Sequence, residues 1–470
     1  MGDFPASEII YDSQLDTGGL PLIKKLSEQA YRRRTDNYTL QGKTLRRWVT
    51  CMQSMNGFLR QSRADIRGFQ LSRIKNLVDN AYRNVPFYRE FYGAVGYEEG
   101  GISSFYDFKQ LPIVTKAVLS SFDDSLRVSD PGAIESAHTA RTSGSSGKPF
   151  TVYRDDDYIA LEHLHLMRFY NSALQRPMQD HDWIYMLHHA GLAFSSLHGK
   201  YRTFQLPDLL PNTPLGEHLL FLRPKVLVTL PSYLPIILQH KDEVMLSGVE
   251  AILTNSESST RLERAYYSKA LQVPIFDEYS SEEIGMIATE CPHGRYHVAE
   301  DNVYLELVNT DKHGFGSVVC TGLSNDLMPL IRFDHGDVAK ESLGDNCCEC
   351  GSACTSLDEI NGRRDDAFRT RDQRLVPSAS ILAAVDDILV TPDKTLETFR
   401  VIQKNGDTIE LLTHYIGEPH KNMQEILSQL KDRLSFLFGY SILLLHREVD
   451  ALPEQKSYKR RSIVREWELN

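Results

Sequence analysis

Three groups of residues in this chain have types and spacings that could do chemistry. The first is Thr142-Ser143-Gly144-Ser145-Ser146-Gly147-Lys148-Pro149. Small residues let backbone N–H groups converge on an anion, and hydroxyls and a lysine add donors, so the stretch reads as a loop that grips polyphosphate. It is not a Walker A loop: Pro149 follows Lys148, and Thr142 stands where the first glycine of that pattern belongs. The competing reading is a solvated Gly/Ser linker. The second group lies where two strand-like runs end in polar residues, Asn255-Ser256-Glu257 and Glu278-Tyr279-Ser280-Ser281-Glu282-Glu283. The third is Cys291 and His297 with Cys348-Glu349-Cys350. A Cys/His pair and a Cys-x-Cys turn supply four N/S ligands, the number that a closed structural zinc site takes. His293, Cys347 and Cys354 compete as ligands, and free thiols without metal are the alternative.

The elements that must position these groups follow from periodicity. Residues 20–91 read as helical, with Leu71, Ile74, Leu77 and Val78 at helical spacing and Pro86 expected to end that helix. Thr115 is a candidate N-cap. Phe150-Thr151-Val152-Tyr153 reads as a strand, 156–174 as a helix, and Trp183–Leu187 as a buried strand leading to His188-His189-Ala190-Gly191. Strands at 226–230, 251–254 and 273–277 then alternate with helices at 232–240 and 260–271. That alternation predicts a mostly parallel sheet covered on both faces, with ligands at the strands' carboxyl ends. Runs at 303–308 and 316–321 predict a more antiparallel, β-rich region ending at Pro329-Leu330-Ile331-Arg332-Phe333-Asp334-His335-Gly336-Asp337. Beyond the charged stretch at 361–366, strands at 397–402 and 408–413 and a helix at 418–436 predict a small α+β unit. The expected fold is therefore α/β: a large N-terminal domain, 1–362, with mixed sheets and a β-rich subdomain, and a small C-terminal domain, 363–470.

Bulk properties narrow the class. A chain of 470 residues with 41% hydrophobic and 24% charged residues is an ordinary globular protein with room for two domains. The net charge of −11 argues against a general nucleic-acid binder. The N-terminal residues read as no signal peptide, and Ala6 stands where a myristoylation signal wants Ser or Thr. The longest apolar run, 226–238, is broken by Pro231 and Pro235, so no membrane span is expected. Seven cysteines in so long a chain suggest metal rather than a disulfide scaffold, and a reducing, cytoplasmic setting.

Taken together, the motifs resemble those of adenylate-forming enzymes, in the phenylacetate–CoA ligase-like and CapK-like branch, from about Leu71 onward. Ala81-Tyr82-Arg83-Asn84-Val85-Pro86-Phe87-Tyr88 and Leu111-Pro112-Ile113-Val114-Thr115-Lys116 resemble that branch's N-terminal helical signature. Residues 142–149 resemble the family's phosphate loop, and Tyr279-Ser280-Ser281-Glu282-Glu283 its Tyr-Gly-x-Ser/Thr-Glu motif. Leu330-Ile331-Arg332-Phe333-Asp334-His335-Gly336-Asp337 resembles the ribose-binding motif, and Gly362-Arg363-Arg364-Asp365-Asp366 the interdomain hinge. The resemblance implies ATP-dependent activation of a carboxylic acid to an acyl-adenylate, then transfer to the thiol of CoA or of a carrier protein. The alternatives are an amine acceptor, or a non-catalytic nucleotide-binding relative. The partners are small molecules or a carrier protein, and the assembly a monomer or homodimer.

The resemblance also assigns roles. Thr142, Ser143, Gly144, Ser145, Ser146, Gly147 and Lys148 would hold the β- and γ-phosphates, and Glu283 would bind Mg²⁺. The segment at Glu278, Tyr279 and Ser280 would lie against adenine. Asp337 would accept both ribose hydroxyls, with Arg363 beside them. Lys459, which has Ile463-Val464 following at the family's spacing, or Lys456, would reach the reacting carboxylate. His188, His189, Gly191, Phe194 and Ser256 would shape the acid pocket, whose aromatic residues point to an aryl or cyclic acid; one histidine of that pair could instead be plain packing. Cys291, His297, Cys348 and Cys350 match places where relatives of this branch carry Cys…His and Cys-x-Cys-Gly. Two departures stand out. Ser280 and Glu282 replace the motif's Gly and Ser/Thr, and Asp372 replaces a glycine in Phe368-Arg369-Thr370-Arg371-Asp372-Gln373-Arg374-Leu375-Val376-Pro377, the loop that lines the thiol's path in CoA ligases. Thioester formation is therefore less firmly implied than adenylation.

Overall fold

The computed structural model describes residues 38–142, 150–179, 182–187, 193–197, 200–206, 215–311, 314–342, 348–363, 367–389, 396–415, 422–450, 452 and 462–467. Its first part is helical, as the periodicity predicts: Tyr38–Phe58, Arg63–Asn84 and Pro86–Gly93. The middle helix is capped by Ser62, whose side chain accepts from the Asp65 N–H, and it buries Ile66, Ile74, Leu77, Val78 and Ala81 along one face. Pro86 does end that helix, but only for one residue. Val85 is extended, and Pro86 opens the next helix at its first position, where its missing N–H costs nothing. Thr115 caps the helix Lys116–Ser120 by accepting from the Val118 N–H.

These helices are tied directly to the later motifs. The Tyr88 hydroxyl donates to the Pro329 carbonyl and accepts from the Ile331 N–H, both at 2.9 Å. Val114 bridges to Phe333 through Val114 N–H to Arg332 carbonyl (2.9 Å) and Asp334 N–H to Val114 carbonyl (2.8 Å). Arg332, the arginine of the ribose-like motif, is a buried clamp. Its Nε and Nη2 donate to the two Glu306 carboxylate oxygens at 3.1 Å, and Nη1 reaches the carbonyls of Lys109 and Leu111.

A short antiparallel pair, β1 (His138–Thr142) and β2 (Phe150–Arg154), precedes the main sheet. The main sheet is built from β3 (Trp183–Leu187), β4 (Ala193–Leu197), β5 (Lys200–Leu206), β6 (Val226–Thr229), β7 (Ala251–Thr254), β8 (Ile275–Ser281), β9 (Gly285–Glu290), β10 (Tyr296–Val298), β11 (Val303–Val308), β12 (Phe315–Gly322), β13 (Phe333–Glu341) and β14 (Ser356–Arg363). Its 12 strands run in the order β11-β12-β13-β14-β10-β9-β8-β7-β6-β3-β5-β4. The stretch β5-β3-β6-β7-β8 is parallel, with the helices Asp156–Ala173 and Arg261–Leu271 among its cover.

The β-rich region continues this sheet rather than forming a separate one. β8 pairs with β7 only through Ile275, Phe276 and Asp277, and its later residues, Glu278 to Ser281, pair antiparallel with β9. Gly285 makes that reversal possible. Its φ is +74°, and a Cβ there would stand 2.6 Å from the Tyr158 hydroxyl.

After β14, β15 (Phe368–Arg369) and β16 (Leu375–Val376) form a small pair. β17 (Leu396–Gln403), β18 (Thr408–Tyr415), β19 (Leu443–Glu448) and β20 (Ile463–Arg465) form a second sheet in the order β19-β18-β17-β20. The helices Ser378–Leu389 and Met423–Phe438 pack on it around Ile381, Val385, Leu430 and Leu434. The architecture is the α/β fold expected, with a large mixed sheet and a smaller α+β unit. Among the described residues no helix is long and apolar enough to cross a membrane.

Candidate active site

The sheet brings the two motif segments together at β8 and β13. The Tyr279 hydroxyl donates to Asp337 Oδ2 at 2.7 Å. His335 Nδ1 lies 2.7 Å from the same oxygen and 3.3 Å from the Tyr279 hydroxyl. Gly336, at φ +86°, turns the chain between His335 and Asp337 so that both side chains reach one place. The β13–β14 register sets Arg363 across from Asp337. Tyr279 and Asp337 are both buried, so the carboxylate is held by charge-assisted hydrogen bonds rather than by water.

Glu283, just past β8, is also buried, and Lys116 Nζ approaches its Oε1 at 3.4 Å. Read from sequence as helical scaffold, Lys116 comes to this site from the first turn of its helix, and no local pattern announces it. Its ammonium also lies 5.5 Å from the Phe150 ring centroid. Phe150 stacks on Phe333 at 6.5 Å and pairs with Thr142 across β1 and β2. The two ends of the glycine-serine stretch are therefore held together beside Glu283 and Phe333. Ser143, Gly144, Ser145, Ser146, Gly147 and Lys148 lie outside the described residues.

The other face of β8 carries different chemistry. Strand alternation sends Glu278 away from Tyr279. Burial pushes its carboxyl up to about 7, against hydrogen bonds from Ser280 and Asn255 that pull it down. Its neighbour Asp277 is likewise pushed up to about 6 by burial; Thr254 Oγ1 and the Tyr296 hydroxyl donate to it at 2.6 and 2.8 Å. Ser256 has φ +67°, an unfavourable backbone for a serine. Next to it, Glu257 accepts from the Ser232 N–H at 3.0 Å, which holds the turn in that shape. Of the other expected pocket residues, Phe194 lies in β4, antiparallel to Phe204, and His188, His189 and Gly191 lie outside the described residues.

Cys291, His297, Cys348 and Cys350 converge, with all four ligand atoms within 4.8 Å of one another. Cys291 Sγ lies 3.7 Å from Cys348 Sγ, and Cys350 Sγ lies 3.2 Å from His297 Nε2. Tetrahedral zinc with Zn–S of about 2.3 Å places two sulfurs about 3.8 Å apart, whereas a disulfide needs about 2.05 Å. The donor set and its spacing fit the metal. Burial holds the Cys291 thiol above its ordinary range and the Cys350 thiol up to about 12, so a cation would displace bound protons on entering. The competing ligands turn elsewhere: His293 faces Glu349 at 3.4 Å, and Cys354 packs with Phe58 and Ile66. Cys347 lies outside the described residues.

In the expected thiol-path loop, Asp372 accepts from the Thr370 hydroxyl, which holds its carboxyl below the ordinary range. The left-handed position of this turn belongs to Gln373, at φ +65°. Lys456 and Lys459 lie outside the described residues.

No known protein-family profile matches the chain. It is 26% identical over 391 residues to the phenylacetate–coenzyme A ligase of Thermus thermophilus, covering 78% of this chain and 85% of that protein. It is 24% identical over 215 residues to protein CapK of Staphylococcus aureus, covering 46% of each. Among solved structures it is similar to 2-hydroxyisobutyryl-CoA ligase in the postadenylation state, in complex with 2-HIB-AMP, with a TM-score of 0.71, 18% identity, and 87% of this chain and 90% of that one covered. The fold is that of the adenylate-forming ligases. In sequence and fold the chain is similar to the adenylate-forming superfamily, in the branch of the phenylacetate–coenzyme A ligases and CapK.

Proposed function

We propose that this protein is an AMP-forming acid–thiol ligase. It activates a carboxylic acid with ATP and passes the acyl group to the thiol of CoA or of a carrier protein. The observation that carries this reading is the convergence on one rim of the sheet of the β1–β2 hairpin root, Glu283 with Lys116, and the Tyr279–Asp337 pair. Phenylacetate–coenzyme A ligases among its relatives support the thiol as acceptor.

In the first half-reaction a carboxylate oxygen attacks the α-phosphorus of ATP; that P–O bond forms as the bond to the departing pyrophosphate breaks. Two anions must approach, so cations must offset their charge. Residues 142–148 would hold the β- and γ-phosphates, with Lys116 as a second cation beside the paired strands β1 and β2. Glu283 keeps one carboxylate oxygen toward Lys116, and its carboxylate would hold Mg²⁺, which would supply positive charge to offset the phosphates. Asp337 accepts from the ribose hydroxyls while Tyr279 and His335 fix its orientation, and Arg363 lies across the register from it. Lys459 or Lys456 brings a cation to the reacting carboxylate from a small domain that begins at 363. In the second half-reaction a thiolate attacks the acyl carbon; the C–S bond forms, the C–O bond to AMP breaks, and AMP leaves. An amine acceptor is the second reading, favoured by Asp372 in place of the loop glycine. Cys291, His297, Cys348 and Cys350 would hold a structural zinc ion, which would tie β9 and β10 to the segment before β14. Cys51, Cys320 and Cys354, free thiols outside that set, suit a reducing, cytoplasmic setting.

ATP–pyrophosphate exchange across aryl and alkyl acids tests the first half. Exchange in the wild type, lost in Lys459→Met or in Lys456→Met, supports adenylation and identifies the lysine. Exchange with no acid overturns it. Acid-dependent AMP release on addition of CoA, with thioester formed, separates the thiol from the amine acceptor.

A further inference from the structure

Glu278 is left over by this mechanism. The nucleotide side of β8 is marked by Tyr279, which reaches Asp337. Glu278 faces the opposite way, toward the helix Asp156–Ala173, where Glu162 and Tyr170 stand within electrostatic reach of it. Asp277, on its own strand, is the other charged group near it. A carboxylate so placed and so partnered is no part of the apolar core around Phe276, Leu164 and Met167 on that face. Glu278 and Glu162 both keep accessible surface, 25% in the Glu162 side chain, so a ligand can reach both.

Two further observations point to what would bind there. Asn255 is only 8% exposed; its side chain hydrogen-bonds the Glu278 carboxylate, while its buried Oδ1 has no hydrogen-bond partner. The Tyr158 hydroxyl, one helical turn before Glu162, is buried in the same condition. An unpartnered buried acceptor beside a carboxylate is costly unless a donor arrives. The strained Ser256 backbone, held by Glu257, keeps Asn255 in this position. Arg154 Nη1 stands 3.8 Å from Glu162 and leaves Glu278 uncompensated. The Glu278 and Glu162 carboxylates share one neighbouring cation, Arg154, so the local charge is negative.

We propose that Glu278 and Asn255 line the acid pocket and select a carboxylic acid that carries an amine, with Glu278 taking the ammonium and Asn255 Oδ1 accepting one of its N–H bonds. The inference rests on the acid-activating reading above and deepens it. It also moves Glu278 from the adenine side, where the motif's sequence suggests it, to the substrate side.

Paired acids of matched shape test it in ATP–pyrophosphate exchange: 4-(aminomethyl)benzoate against 4-ethylbenzoate, and 6-aminohexanoate against heptanoate. The wild type is expected to favour the amine-bearing member of each pair in kcat/KM by at least about ten-fold, as a hydrogen bond to a charged group implies. Glu278→Gln, which keeps the volume, is expected to bring that ratio close to one. The wild-type ratio should also fall as pH drops through about 7, where Glu278 gains its proton, and be flat in the variant. Equal or better exchange with the neutral acids, or an unchanged ratio in Glu278→Gln, overturns this inference and leaves the acid-activating reading standing. Exchange with no acid overturns both. The wild-type ratio and its pH profile decide the question even if the variant fails to fold.

Discussion

The hydroxyl of Tyr279 on β8 donates to Oδ2 of Asp337 on β13 at 2.7 Å, across 58 residues of sequence. His335 reaches the same oxygen, so the carboxylate proposed to hold ribose is oriented before any ligand arrives. Pre-orientation of this kind lowers the cost of binding. Tyr279→Phe removes one hydrogen bond to a charged group and keeps the ring in place. It is expected to raise the KM for ATP about ten-fold, corresponding to about 1.5 kcal/mol, with little change in melting temperature. An unchanged KM would show that Tyr279 does not position Asp337.

Lys116 is expected to matter through its charge. Lys116→Met leaves the Glu283 carboxylate without its nearest cation and takes a positive charge from the phosphate end of the site. Exchange activity should fall by about 10²-fold, in the range for loss of one electrostatic stabiliser. Lys116→Arg should recover part of that loss. Equal activity in all three proteins would remove Lys116 from the site.

The metal prediction is compositional. Purified protein should carry about one zinc ion per chain, as a single closed four-ligand site requires. Cys350→Ser should lower that content and the melting temperature together, and a strong chelator should reproduce the drop in melting temperature. Unchanged zinc content in Cys350→Ser would falsify the assignment.

Two buried histidines should draw stability down in mild acid. Burial holds His165, which faces Asp301 and Arg168, down at about 4, and burial holds His218 down at about 4 as well. Their unfolded values lie near 6.5. Between pH 6.5 and 4 these two side chains bind protons in the unfolded chain and not in the folded one, so their contribution to stability decreases as pH falls through that window. His165, which is almost wholly buried, accounts for about 2–4 kcal/mol of the change. Asp277 and Glu278, held up at about 6 and about 7, act in the opposite sense in both proteins, so urea unfolding at steps of pH should show the wild type losing stability relative to His165→Gln as pH falls from 6.5 to 4.

Gly285→Ala should cost stability by a mechanism separable from the chemistry. The added Cβ meets the Tyr158 hydroxyl at 2.6 Å on a backbone at φ +74°. About 2 kcal/mol of destabilisation is expected. Tyr158→Phe should relieve the clash but not the backbone strain, so the double variant should recover only part of the loss. Full recovery would show that the positive φ costs nothing here.

Much of the fold was legible in local pattern. Helix Arg63–Asn84, strand Trp183–Leu187 and the alternation from β6 to β8 follow from spacing alone, because periodicity records which face is buried. The hairpin of β4 and β5 gave no such signal, and neither did the joining of the parallel and antiparallel regions into one sheet. That joining depends on β8 outrunning its parallel partner, which is a matter of register. At the site, the metal donor set Cys291, His297, Cys348 and Cys350 was legible from ligand types and spacing, and those four side chains converge, whereas the turning of His293 toward Glu349 and of Cys354 toward Phe58 was not legible.

By itself, then, the sequence determined the residue types, their order and the chemistry they could support: a donor-rich loop, a carboxylate at Glu283, an aspartate at 337 and four N/S ligands. Only the tertiary structure decided which of them meet. It set Lys116 against Glu283, Tyr279 against Asp337, and Glu278 on the face away from both. The reason is physical. Local propensity acts over a few residues, whereas these contacts join segments far apart in the chain, through a strand register that no single segment encodes.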